Sequence, residues 1–67
     1  MYHPQLLKAM LVAHGSSAAD LSFIIGKGID ATRRKINGET EFTRAEMSRI
    51  KDKFALSVDE MNAIFFA

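Results

Sequence analysis

The chain has 67 residues, a net charge of +1 and 48% hydrophobic residues, a composition for one folded domain, 1–67, rather than a disordered segment. It has no cysteine, which excludes disulfides, thiolate metal sites and cysteine nucleophiles and suits a reducing cytoplasm. No apolar run approaches the roughly 20 residues of a membrane helix, and the N-terminus lacks a signal-peptide layout, so a soluble cytoplasmic protein is expected.

Pro4 suits the first turn of an opening helix, where a missing amide donor costs nothing. Leu6, Leu7, Met10 and Leu11 recur at helical spacing, and Gly15 after His14 predicts the stop. Ser17-Ala18-Ala19-Asp20 has the Ser/Thr-x-x-Asp/Glu form of a capping box. It predicts a second helix from Ala18 to Ile25 with Leu21, Ile24 and Ile25 inward, and Gly26 suits the left-handed residue that ends it. A third helix is predicted from Gly28 or Ile29 to the turn signal Asn37-Gly38. Thr43-Arg44-Ala45-Glu46 and Ser57-Val58-Asp59-Glu60 repeat the capping signature. They predict a fourth helix over Arg44–Phe54 and a fifth over Val58–Phe65. Phe42 and Leu56, just ahead of these starts, are placed to meet Met47 and Met61 as hydrophobic staples. No stretch alternates with a period of two, so the expected fold class is all-α, a compact bundle of five short helices.

Charge is spread unevenly over these elements. Residues 1–26 hold Lys8 against Asp20, and residues 54–67 hold only Asp59 and Glu60. Residues 27–53 hold eight basic residues against five acidic ones, and their densest cationic run, Arg33-Arg34-Lys35, lies on the third helix. Such a patch is either a solvated helix face or a surface for an anionic partner. At about 100° per residue, Ile29, Thr32 and Ile36 make an inward stripe on this helix. Asp30, Ala31 and Arg34 then face away, with Arg33 and Asn37 on one flank and Lys35 on the other. Asp30 precedes Arg34 by four residues, a favourable spacing for an intrahelical ion pair.

The second and third helices meet through Gly26-Lys27-Gly28, a turn short enough to make them cross steeply and leave the third projecting. Gly15-Ser16-Ser17 stands before the second helix and Asp20-Leu21 within it; Ile25-Gly26 makes the turn, with Arg34 in the third helix and Asn37-Gly38 after it. In this order and spacing they resemble the Cro/repressor-like helix-turn-helix family of phage and bacterial regulators. The likeness covers roughly Gln5 to Phe66, and EFTRAEMSRIKDKFALSVDEMNAIFF looks like the last two helices of small phage-repressor-like members.

The resemblance implies a lambda-repressor-like DNA-binding domain. Its function would be a sequence-specific transcriptional regulator, a homodimer on double-stranded DNA in a bacterial or phage-infected cell. The third helix would read an operator half-site in the major groove. Ser17 and Ala18 would lie against phosphate through the amides of the second helix. Gly28, Ile29 and Asp30 would lie over base edges together with Arg34, and Asn37, Thr40 and Thr43 along the DNA backbone. Arg34 would bond guanine, Asp30 would accept from cytosine, and Arg33 and Lys35 would meet phosphate or stay in water. Glu39 and Glu41 in the same loop would repel phosphate. The chain departs from the family pattern at Ser22, where alanine is usual, and at Thr32 and Lys35, where aliphatics are usual. Ile36, one position past the second of these, implies a third helix rotated by about 100°. Ile29 has two placements, over the bases by family likeness and in the core by the helical wheel.

The remaining residues carry little chemistry. His3 and His14 are too few and too far apart for a metal site, and no serine has a neighbouring base of the nucleophile–histidine kind. No cofactor, metal, small-molecule ligand or enzymatic activity is expected. Phe23 falls off the inward face of the second helix, so Tyr2 or a second copy of the chain is expected to cover it. Phe65-Phe66 either closes the core or forms a self-association surface. A second functional reading keeps the fold and discards the DNA: a protein-interaction module, an antirepressor or adaptor, favoured by the acidic loop and the near-zero net charge.

Overall fold

Three capping boxes set three of the five helix starts. Ser17, Thr43 and Ser57 each accept from the backbone amide three residues on, and Asp20, Glu46 and Glu60 each accept in return from the cap's own amide. The computed structural model describes residues 1–67, with helices α1 (Pro4–Ala13), α2 (Ala18–Ile25), α3 (Ile29–Ile36), α4 (Arg44–Phe54) and α5 (Val58–Phe65) and no strand. Each helix lies where its capping and stop signals put it. The stops of α1 to α4 share one device, in which an amide beyond the helix reaches back to a carbonyl five residues earlier. Ser16 bonds Leu11, Lys27 bonds Ser22, Glu39 bonds Arg34 and Leu56 bonds Lys51, at 2.8–3.1 Å. The residue between is left-handed each time: a glycine in three cases, and in the fourth Ala55, with φ 52°.

Twelve apolar side chains form one core: Leu7, Leu11, Leu21, Ile25, Ile36, Phe42, Ile50, Phe54, Leu56, Met61, Ile64 and Phe65. Full burial of each such side chain contributes roughly 1.5–3 kcal/mol against the entropy of folding. Leu7, Leu21 and Ile50 are wholly inaccessible, one each from α1, α2 and α4. α2 is the centre of the packing, in contact with both α3 and α4, and α1 packs on α5 and α3. Both staple pairs belong to the core region, with Phe42, Leu56 and Met61 buried and Met47 packed against them.

The aromatic residues correct two expectations. Tyr2 does not cover Phe23. Its ring stacks on Phe65 and meets Phe42 edge-on, both at 5.8 Å between centroids, and its hydroxyl donates to the Ile36 carbonyl at 2.8 Å. Phe23 is left 88% exposed. The pair Phe65-Phe66 divides between the two alternatives, with Phe65 closing the core and Phe66 exposed. No helix is long and apolar enough to cross a membrane.

Candidate nucleic-acid interface

α3 is anchored on one side only. Thr32 and Ile36 are buried, and Lys35 is nearly so. Thr32 has no polar partner in the core and instead donates its hydroxyl to the Gly28 carbonyl at 2.9 Å. The inward arc is therefore shifted from Ile29 towards Lys35. Ile29 is half-buried and outside the core cluster, which corrects its placement in the inward stripe. Lys35 also departs from expectation. It neither meets solvent freely nor flanks an open face, because its Nζ donates to Glu46 Oε1 at 2.8 Å and to the Glu41 carbonyl at 3.0 Å. The ammonium is thus taken out of solvent at the contact of α3 with α4, and a carboxylate on α4 neutralises it there.

On the opposite side Asp30, Arg33, Arg34 and Asn37 are all exposed, within about 100° of helix arc. No ion pair joins Asp30 to Arg34, so the expected intrahelical bridge is not made; Lys35–Glu46 is the one salt bridge in the molecule. Both guanidinium groups are free of protein hydrogen-bond partners, whereas the guanidinium of Arg49 on α4 donates to the Ile25 carbonyl at 3.3 Å. α3 starts at Gly28 in extended backbone without a side-chain cap, which leaves its first-turn amides without a side-chain partner, while Asp30 in the first turn faces the positive dipole end.

The other sequence-predicted positions sit at α2 and in the following loop. Ser17 is exposed, but its side chain accepts from the Asp20 amide and also donates to the Asp20 carboxylate at 3.2 Å. Ala18 is half-buried against the core. Gly28, Thr40 and Thr43 are exposed; the Thr43 hydroxyl is occupied in its capping box, accepting from the Glu46 amide at 3.1 Å. Glu39 and Glu41 are exposed in the same loop.

Two residues of this region have roles that no local sequence signal gives. Lys8 of α1 lines a cleft with Arg33 and Asn37, beside Ala18 at the start of α2, and so extends the cationic edge. Only the packing of α1 on α3 brings it there. Glu46 reads locally as a cap residue, yet it is also the partner of Lys35. Burial pushes its pKa up, but the bonds from Lys35 and the Thr43 amide, with the charges of Lys35 and Lys27, outweigh this and hold it below the usual carboxylate range.

Comparison with protein-family models, with curated proteins and with solved structures gives no match. Function therefore rests on the site's own chemistry.

Proposed function

We propose that the chain is a sequence-specific DNA-binding transcriptional regulator of the Cro/repressor kind, with α2 and α3 as its helix-turn-helix and α3 as the reading helix. The observation that carries this reading is the free outer face of α3. A helix buried on one side by Thr32, Lys35 and Ile36 turns Asp30, Arg33, Arg34 and Asn37 to solvent with neither guanidinium paired. Arginine on such a face suits guanine O6 and N7, a contact worth roughly 1–3 kcal/mol of discrimination. Asp30 suits cytosine N4, and Arg33 with Lys8 suits phosphate. The amides at the starts of α2 and α3 suit the DNA backbone. Ile29, half-buried at the edge of the reading face, suits an apolar contact to a thymine methyl.

The active species is a homodimer. Exposed Phe23 and Phe66 supply aromatic surface for self-association. Two copies on an inverted repeat would set their α3 helices one DNA turn apart, about 34–36 Å. The protein works without a cofactor and is not an enzyme. Selection of bound duplexes from a random pool tests this directly. The expected product is an inverted repeat with half-sites about 10 base pairs apart; a pool that stays random through repeated rounds contradicts the reading.

The exposure of Phe23 also suits a second reading, an adaptor on the same fold that binds another protein there. Phe23, 88% exposed on α2, is a large apolar group with no role on DNA. Under that reading a Phe23→Ser change abolishes partner binding while duplex binding is absent from the start.

A further inference from the structure

α4 packs on α2 through the apolar core, and it adds two polar contacts, one to α3 and one to the end of α2. Glu46 and Arg49 stand three residues apart on α4, about one turn. Glu46 is 3% exposed; its Oε1 accepts from Lys35 Nζ at 2.8 Å and from the Thr43 amide at 2.8 Å. Its Oε2 is buried without a partner, so the carboxylate is held by Lys35 and the cap alone. Arg49 donates to the carbonyl of Ile25, the last residue of α2, and a Cβ at Gly26 would lie 3.4 Å from its Nη1. α3 packs on α2 and α1, and α4 packs on α2. The hydrogen-bonded tie between α3 and α4 is therefore Lys35–Glu46.

From this we infer that Glu46 and Arg49 are positioning residues that fix the angle between α2 and α3, Glu46 by holding Lys35 and Arg49 by holding the end of α2 beside its turn. The inference rests on the DNA reading for its consequence, which is where the outer face of α3 points, but not for the clamp itself. An ammonium held between a buried carboxylate and a backbone carbonyl needs both acceptors in place, so α3 cannot roll about its axis without breaking a desolvated pair. An aliphatic residue at Lys35 would slide with little loss, since apolar contact has no direction. The arrangement also removes Lys35 from the phosphate-neutralising set, although it belongs to the densest cationic run of the chain.

The test uses the full chain as Lys35→Met, Glu46→Gln and the milder surface change Arg49→Met, with residual dipolar couplings of the backbone amides and duplex titrations over a range of salt. The expected result is a changed or more mobile α2–α3 angle in each variant, with α2–α4 unchanged in Lys35→Met and Glu46→Gln. Discrimination between a pool-selected duplex and a mixed-sequence duplex should fall roughly fivefold. The slope of log K against log salt for Lys35→Met should match that of the wild type. A slope smaller by about 1 makes Lys35 a phosphate contact and overturns the inference, as does an α2–α3 angle identical in all three variants. If the wild type binds no duplex the DNA reading falls, and the couplings still decide the clamp.

Discussion

Tyr2 shows how one side chain near the chain's start steadies α3. Its ring packs against both Phe42 and Phe65, and its hydroxyl supplies a donor to Ile36, the last residue of α3. Burial raises its pKa well above the ordinary value. The neutral phenol is thus favoured in the folded state. Its contribution is complete below about pH 10 and is lost as pH rises from there towards the higher folded value. Tyr2→Phe should cost about 1 kcal/mol at neutral pH and flatten the alkaline limb of the stability curve, as read by denaturant unfolding. Glu46 has the opposite sign. Its folded pKa lies below the unfolded one, so its contribution is present above about pH 4.3 and is lost as pH falls through the folded value. Glu46→Gln should cost about 3 kcal/mol at pH 7 and make the acid limb shallower; an unchanged acid limb would show that the Lys35 pair contributes nothing. Neither role was legible locally. Glu46 lies eleven residues beyond Lys35, and the intervening loop decides whether they meet. The exposed positions Asp30, Arg33 and Arg34 were legible because helical period alone separates them from Thr32 and Ile36.

Helix ends were the most legible elements, because each depends on three or four adjacent residues. Capping boxes at Ser17, Thr43 and Ser57 and left-handed stops need no knowledge of the rest of the fold. The exception is the end of α4. Ala55 takes the left-handed conformation that glycine occupies after α1, α2 and α3. A Cβ there costs roughly 1–2 kcal/mol, part of which is returned by alanine's smaller loss of backbone entropy. Ala55→Gly should therefore stabilise the fold by about 1 kcal/mol, a rise of about 4–8 °C in Tm for a domain of this size. A lower Tm would mean that the buried neighbours Phe54 and Leu56 already hold this turn rigid. What local signals missed was how the elements face one another. The shift of the inward arc of α3 from Ile29 to Lys35 follows from the carboxylate that α4 places beside it, and the position of Lys8 follows from the docking of α1 on α3.

For the whole molecule, the candidate face is cationic, with Arg33, Arg34 and Lys8 exposed against Asp30. Lys35 is neutralised inside, Glu39 and Glu41 lie in the loop, and Arg33, Arg34 and Lys8 are left at the candidate interface with no carboxylate bonded to them. A net charge of +1 therefore understates the local potential that an approaching polyanion meets. We propose that this face binds the DNA duplex through α3. This is tested most directly by titrating the full chain and Arg34→Ala against mixed-sequence duplex at about 50 and 200 mM salt. Wild-type binding is expected at the lower salt and should weaken steeply at the higher, and Arg34→Ala should bind more weakly with its fold intact. No wild-type binding at low salt, or equal binding by both proteins, would contradict the proposal.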